Sequence, residues 1–207
     1  MPPSDPDAYE VLDDGPEVEV RAKGSRFLGQ AFHAGDESRA AERLDQVRKR
    51  YHDATHHCWA SVLGDPEHVE RYDDNGEPAR TAGPPILNSL KRAGVTEALV
   101  VVTRYYGGTK LGTGGLMRAY GEAADAALEV ASRRVLWRTR VLRVAFDYND
   151  LGAVEGVVAK AGRAIQENTR VFDPSPEMIL TVTQSQVDAL GAALTEATAG
   201  RVRVEAS

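Results

Sequence analysis

The sequence predicts an α+β protein of two domains, and three observations lead to this prediction. Short stretches of alternating apolar residues, typical of strands, are mixed with longer stretches of helical periodicity. The pattern restarts at Arg138, so a joint is expected near residues 133–138. The second part then has the order βαββαβ over about seventy residues, the split βαβ arrangement of ferredoxin-like domains. We therefore expect an acidic tail over 1–17, a first domain over 18–135 and a ferredoxin-like domain over 138–207.

The first domain is expected to open with a hairpin and a helix. Val18 and Val20 alternate with charged residues, and the turn at Lys23–Ser25 leads into a second extended stretch. Asp36 is a suitable N-cap for the helix that follows, because its carboxylate can accept from the free N–H groups of the first turn. A further strand is expected to end at Gly64.

The sequence in the middle of this domain predicts a turn, a short helix, a buried strand and a long helix, in that order. Asn75–Gly76 marks a tight turn, and the prolines at 84–85 suit a first helical turn that ends in a C-cap at Gly94. In Ala98–Thr103, the residues that would point to either face of a strand are apolar, which predicts a strand covered on both faces. After a glycine-rich turn, Thr113 is the expected N-cap of an Ala-rich helix that can approach a sheet closely.

The elements of the second domain follow the same signals. Alternation predicts its strands, and Gly162 and Gly200 are the expected helix ends. The two central strands are joined by the turn sequence DPSP at 173–176. The expected strands lie at 138–148, 164–172, 177–183 and 201–205, with one helix after the first and another from Ser185.

Composition excludes several classes of protein. With one cysteine, Cys58, the chain of 207 residues can form no internal disulfide. The acidic, Pro-rich start is unlike a signal or transit peptide, and no apolar stretch approaches the ~18 residues of a membrane span. The net charge is −6, but the first 19 residues hold seven of the 31 acidic residues and no Lys or Arg. We expect a soluble, cytoplasmic protein with a nearly neutral folded part and no membrane contact.

The clearest candidate for a site is the turn between the buried strand and the long helix. Five glycines fall within the nine residues from Gly107 to Gly115, beside Arg104, Lys110 and Arg118. A helix N-terminus presents unpaired N–H groups and the positive end of its dipole, and glycine allows a phosphate to reach them. The alternative is structural, because glycines also permit tight turns and close packing. The P-loop pattern and the dinucleotide fingerprint are both unmatched.

The acidic loop before the short helix allows two interpretations. Asp73, Asp74 and Glu77 carry oxygens that suit a divalent cation, whereas a solvated turn is the interpretation that we favour. Arg80 and Thr81 come just before the N-terminus of the short helix. If that N-terminus faces the glycine-rich turn, two helix ends would converge on one anion.

The sequence His-His-Cys at 56–58 carries too few ligands for a zinc site, which needs three or four from the protein. It is also unsuited to a Cys–His nucleophile pair, because His57 and Cys58 point to opposite faces of a strand. Neither a Gly-x-Ser-x-Gly elbow nor a His-Glu-x-x-His motif occurs in the sequence. We therefore assign no catalytic residue, no metal and no cofactor, and expect a non-enzymatic protein.

Three motifs in order carry a family resemblance across residues 18–132. They are KGSRFLGQAF from Lys23, DDNGEPARTAGPPIL from Asp73 and TRYYGGTKLGTGGLMRAYG from Thr103. Together they resemble the IMPACT (YigZ-like) family. The resemblance implies a first domain like the second domain of small-subunit ribosomal protein five, with a left-handed βαβ crossover. It also implies a C-terminal domain similar to domain V of elongation factor G.

The same resemblance implies a role in translation, because eukaryotic members of the family are implicated in translational control through a protein partner. We therefore expect a translation-linked regulator that binds RNA or the ribosome, with basic side chains on phosphates and a tyrosine, Tyr105 or Tyr106, stacked on a base. An enzyme or sensor acting on a phosphorylated small molecule or nucleotide is the alternative, and a protein–protein adaptor is the second alternative. The expected site residues are Arg80, Thr81, Arg104, Tyr105, Lys110, Gly112, Thr113, Gly114, Gly115 and Arg118.

Overall fold

The computed structural model describes residues 5–172 and 175–206. Residues 1–4 of the predicted acidic tail, residues 173–174 of the DPSP connection and residue 207 therefore lie outside the described residues. The chain divides into two compact units, which are taken one at a time below. The first is Tyr9–Leu136, and the second combines residues 5–8 with 137–206. The mixed α+β composition in two parts agrees with the prediction.

The first unit is built on a five-stranded antiparallel sheet with helices on both faces. The sheet order is β2-β3-β6-β4-β5, and all of its pairings are antiparallel. The strands are β1 (Ala8–Leu12), β2 (Val18–Ala22), β3 (Ser25–His33), β4 (His56–Leu63), β5 (Val69–Asp73), β6 (Ala98–Tyr105) and β7 (Arg133–Trp137). The helices are α1 (Glu37–Arg50), α2 (Gly83–Ala93) and α3 (Thr113–Val130).

Strand β6 lies in the middle of this sheet and is buried on both faces, as its uninterrupted apolar sequence predicts. Val100 and Val102 pack in the cluster that holds the α2 and α3 side chains. Leu99 and Val101 pack on the other face with Leu44 of α1. Because of this division, residues 104 and 106 at the end of the strand belong to the α2/α3 side and residue 105 belongs to the α1 side.

The segment predicted as an acidic tail contains strand β1, which pairs with β7 as a separate two-stranded sheet. Val11 and Leu12 are fully buried. The acids on either side are neutralised by arginines far along the chain, since Glu10 pairs with Arg133 and Asp13 with Arg134. The structure differs here from a solvated tail for two reasons. Burial of two apolar side chains stabilises the strand, and distant arginines balance the local negative charge.

The second unit has the predicted βαββαβ order. Its strands are all antiparallel in the order β11-β8-β10-β9, and both helices contribute to one core with Leu142, Met178 and Leu180. Asp7, which the sequence places in the acidic tail, is 5% exposed and accepts a hydrogen bond from the Ser185 N–H. The elements are β8 (Thr139–Ala145), α4 (Leu151–Ala161), β9 (Ile165–Val171), β10 (Glu177–Thr183), α5 (Val187–Ala197) and β11 (Arg203–Ala206).

Within residues 5–172 and 175–206, none of the helices is both long enough and apolar enough to cross a membrane.

Candidate phosphate-binding cleft

The register of the sheet places three side chains in one row at the end of β6. Arg104 lies opposite Phe27 on β3 and opposite His56 on β4. All three therefore face the side of the sheet that carries α2 and α3. Arg104 is only 5% exposed, which is unusual for an arginine.

A buried ion pair explains how Arg104 is tolerated there. Its Nη1 group binds Oε1 of Glu77, and the two side chains are 6% and 4% exposed. Nη2 donates to the Ser25 hydroxyl at 3.2 Å, and the guanidinium lies 5.3 Å and 5.4 Å from the ring centres of Phe27 and Tyr106. Its Nε, also buried, has no hydrogen-bond partner among the described residues. The positive charge of Arg104 is thus balanced locally, and one of its donors remains free.

Glu77 also connects the ion pair to the helical layer. The Tyr120 hydroxyl of α3 donates to Glu77 Oε1 at 2.7 Å. The Cys58 thiol lies 3.3 Å from that hydroxyl and 3.0 Å from the Asp74 carbonyl oxygen. Burial raises the pKa of Cys58 to about 12 and raises the pKa of Tyr120 as well. Both groups therefore stay protonated at neutral pH, and the thiol is a packed hydrogen-bond donor rather than a nucleophile.

His56 lies on the same row with one ring nitrogen held in place. Its Nδ1 is 2.8 Å from the Asn75 carbonyl oxygen, which can only accept, so Nδ1 carries the proton. Nε2 then lies 3.9 Å from Glu77 Oε1. His57, by contrast, contacts the Tyr51 carbonyl oxygen at the end of α1, on the other face of the sheet. The predicted division of His57 and Cys58 between two faces is confirmed.

The glycine-rich turn leaves the N-terminus of α3 open. Gly112 is the N-cap with φ 76°, a left-handed conformation that favours glycine, so Thr113 is the first helical residue and not the cap as predicted. The earliest intrahelical bond runs from the Leu116 N–H to the Gly112 carbonyl. In the described part of the chain, no side chain caps this helix and its first turn contains no acidic residue. The N–H groups of 113–115 are therefore available to a ligand.

These groups surround one cavity of about 510 Å³. Arg104, Glu77 and His56 line it together with the glycine-rich turn and the start of α3. Lys110 is exposed and makes no ion pair within residues 5–172 and 175–206, so its charge is not balanced. The lining residues are Thr55, His56, Glu77, Pro78, Arg104, Tyr106, Lys110, Leu111, Gly112, Thr113 and Leu116.

The structure brings part of the predicted set together at this cavity. Arg104, Lys110, Gly112 and Thr113 line it, while Gly114 and Gly115 continue the first turn of α3. Arg118 is exposed further along α3 and is not part of the lining.

Of the two predicted tyrosines, the second lies at the cavity. The Tyr105 hydroxyl donates to Asp53 at 2.8 Å, and Arg26 lies 5.4 Å from the centre of its ring. Tyr106 also lies over a guanidinium, that of Arg104, but it is 46% exposed and lines the cavity, so the exposed part of its ring can stack on a ligand.

The N-terminus of α2 is already occupied by a side chain of the protein. Asp74 Oδ1 accepts from the N–H groups of Ala82 and Gly83 at 2.9 Å and 2.8 Å, and Oδ2 accepts from the Arg80 N–H at 2.6 Å. Thr81 is buried, and its hydroxyl donates to Pro78. Two helix ends therefore do not share one anion here, because Asp74 supplies the negative charge that α2 requires.

Replacing Asp74 by alanine should lower the free energy of unfolding by about 1–2 kcal/mol, the usual cost of a lost cap. The loss follows from three N–H groups that lose their acceptor at once. Urea denaturation followed by circular dichroism measures it. As the matched control, Asp45→Ala removes only the exposed ion pair with Lys49 and should change stability by less than about 1 kcal/mol. Equal effects of the two substitutions would contradict this role of Asp74.

The acidic loop is a largely exposed turn before α2, as favoured from its sequence, but its acidic side chains are bound within the protein. Asp73 accepts from the Asn75 N–H, Asp74 caps α2 and Glu77 is buried on Arg104. Among the described residues, no cluster of three or more His, Cys, Asp or Glu side chains could hold a metal ion. Each acid of the loop instead has a partner within the protein.

Sequence reasoning missed Glu77 and His56 as members of the cleft and Tyr120 as the hydrogen-bond partner of Glu77. One signal was available for His56, because strand parity places it with Cys58 on the α2/α3 face. Glu77 gave no such signal, since a carboxylate in a loop with Asn75 and Gly76 is usually solvated. Only the folded structure shows that it is buried.

Comparison with known proteins agrees with this description. Residues 23–128 match the Impact N-terminal domain family. Over 197 residues, the chain is 32% identical to the IMPACT family member YvyE of Bacillus subtilis, covering 94% of this chain and 88% of that protein. It is 36% identical over 153 residues to the IMPACT family member YigZ of Escherichia coli, covering 72% and 75% of the two chains.

A solved crystal structure of "an hypothetical protein" has the same two-part fold. It matches with a TM-score of 0.69 at 28% identity and covers 96% of each chain. The family match spans the motifs that form the cleft, since KGSRFLGQAF, the acidic loop and the glycine-rich turn all lie within residues 23–128. On this evidence, the chain belongs to the IMPACT family.

Proposed function

We propose that this protein is a non-enzymatic, translation-linked regulator that binds RNA, free or within the ribosome, at the cleft before α3. The observation that carries the proposal is the open N-terminus of α3, which lies on a cavity beside Lys110. An uncapped helix N-terminus with an adjacent unbalanced cation is a general means of binding phosphate. Family membership supports the link to translation by analogy.

The residues take different parts in this proposal. Lys110 neutralises a backbone phosphate, and the N–H groups of Thr113, Gly114 and Gly115 hydrogen-bond to its oxygens. Tyr106 stacks on a base in place of Tyr105, because Tyr106 lines the cavity whereas the Tyr105 hydroxyl is bound to Asp53. Arg104 lines the cleft, and Glu77 balances its charge.

We also propose a fold for each of the two units. We assign to the first unit the fold of the second domain of ribosomal protein five, with its left-handed crossover, and to the second unit the ferredoxin-like fold of domain V of elongation factor G. The sheet orders β2-β3-β6-β4-β5 and β11-β8-β10-β9 support these assignments. Ribosomal protein five and elongation factor G both act on the ribosome, so similarity to their domains favours RNA as the ligand by analogy.

One observation favours the alternative, a small phosphorylated ligand. A cavity of about 510 Å³ lies within the range of about 300–1,000 Å³ that small-molecule sites occupy. A sensor or enzyme acting on such a molecule would use the same phosphate-binding groups.

Replacing Lys110 by alanine should weaken RNA binding and its dependence on salt. Each phosphate contact adds about 0.7 to the slope of log affinity against log salt for single strands, so the variant should lose about that amount. Fluorescence anisotropy with unstructured and structured RNA at several salt concentrations measures both quantities. The melting temperature should not change, because Lys110 is exposed and makes no ion pair in the described part of the chain.

The matched control is Lys49→Ala on α1, which lies on the other face of the sheet. It removes the same kind of side chain and should leave both affinity and salt slope unchanged. Failure of the wild-type protein to bind any RNA at low salt would overturn the proposal. Binding that Lys110→Ala and Lys49→Ala weaken equally would place the RNA elsewhere.

A further inference from the structure

We propose that the cleft takes a terminal phosphate monoester, as found at the end of an RNA strand or on a free mononucleotide, in preference to an internal phosphodiester. This inference rests on the proposed function, since it specifies which phosphate that site receives. It is carried by the charge, the donors and the shape of the cavity.

The charge of the cavity fits a dianion better than a monoanion. Arg104 and Glu77 form a buried ion pair whose two charges cancel. What remains is the full charge of Lys110 together with about half a charge from the N-terminus of α3. A phosphate monoester carries about −1.5 to −2 at pH 7, which matches this sum, whereas a phosphodiester carries a single negative charge.

The donors are also numerous enough for three terminal oxygens. The N–H groups of 113–115 are open, and Lys110 contributes its ammonium group. Arg104 adds an independent observation, because it lines the cavity at 5% exposure and its buried Nε has no partner within the described ranges. A buried donor without an acceptor is costly, so a ligand oxygen that reached this Nε would be stabilising.

The remaining walls suit the body of one nucleotide. Leu111 and Leu116 are apolar, and Tyr106 presents a half-exposed aromatic ring. Arg104, Glu77 and His56 line the cavity as well. A strand that continued past an internal phosphate would have to leave the cavity on both sides of that phosphate, whereas a terminal phosphate needs only one exit.

The experiment compares one short RNA sequence with a 5′-phosphate, with a 3′-phosphate and with hydroxyls at both ends, by fluorescence anisotropy at constant salt. At least one phosphorylated form should bind about tenfold tighter or more than the hydroxyl form, the equivalent of one charge-assisted hydrogen bond. Lys110→Ala should remove most of this difference, and Lys49→Ala should retain it. Equal affinity of all three forms, or a difference that survives Lys110→Ala, would overturn the inference.

Competition with adenosine 5′-monophosphate, with adenosine as its control, distinguishes the two sources of the phosphate. If the mononucleotide displaces the phosphorylated RNA and binds as tightly, the inference holds and the ligand is a free nucleotide, so the RNA-binding function fails. If all three RNA forms bind equally with a steep salt dependence, the RNA-binding function holds and the terminal-phosphate inference fails. Lack of binding to every RNA and to the mononucleotide would overturn both.

Discussion

Replacing Glu77 by alanine should lower the free energy of unfolding by about 3–5 kcal/mol, the cost of removing one partner of a buried ion pair. The Arg104 guanidinium would remain buried with its charge unbalanced, and the Tyr120 hydroxyl would lose its acceptor. Chemical denaturation followed by circular dichroism measures the loss. The melting temperature should fall in parallel.

Two further variants test the cause of this loss. Glu122→Ala removes an exposed glutamate of α3 that makes no ion pair within residues 5–172 and 175–206, and it should change stability by less than about 0.5 kcal/mol. The double variant Glu77→Leu with Arg104→Met replaces both charges by apolar groups and should be more stable than Glu77→Ala alone. A cost below about 1 kcal/mol for Glu77→Ala would show that water reaches Arg104 and balances its charge.

Replacing Gly107 by alanine should lower the free energy of unfolding by about 3 kcal/mol, at the upper end of the cost of overpacking. An added Cβ would overlap the backbone of Gly24 and Ser25, which cannot rotate away as a side chain can. The backbone shift that relieves this overlap would also disturb the hydrogen bond from the Gly107 N–H to the Ser25 hydroxyl. The same hydroxyl accepts from Arg104.

The control for Gly107 is Gly121→Ala, in the interior of α3. Among the described residues, no atom outside its chain neighbours and the backbone of its own helix lies within 4 Å of the position where its Cβ would be, so there is no overlap. Alanine is favoured over glycine by about 1 kcal/mol within a helix, so this variant should be slightly more stable than the wild type. Thermal unfolding of both variants under one condition makes the comparison. A Gly107→Ala variant as stable as Gly121→Ala would mean that the β2–β3 turn can move aside without cost.

Much of the secondary structure could be predicted because it depends on residues close together in the chain. Asp36 caps α1 by accepting from the Arg39 N–H at 2.8 Å, as expected from its place before an amphipathic stretch. Gly94 ends α2 in the left-handed conformation with φ 67°. Neighbouring residues decide such features, so sequence patterns are sufficient to predict them.

The candidate site was predictable only in part, because its members come from different elements. The glycine-rich turn is one continuous segment, and its open helix N-terminus follows from the local sequence. The pairing of Arg104 with Glu77 depends instead on where the β5–α2 loop lies against the end of β6. The same loop places Asp74 on the N–H groups of Arg80, Ala82 and Gly83 at the start of α2, which also depends on contacts in space.

The sequence by itself determined the two-part α+β organisation, the double-sided burial of β6 and the glycine-rich start of α3, because each follows from periodicity or from backbone conformations that glycine favours. Only the tertiary structure decided which charges remain available. Arg104 is balanced by Glu77, whereas Lys110 makes no ion pair among the described residues. The physical reason is that the effect of a charge depends on burial and on its partners in space, which chain neighbours do not specify.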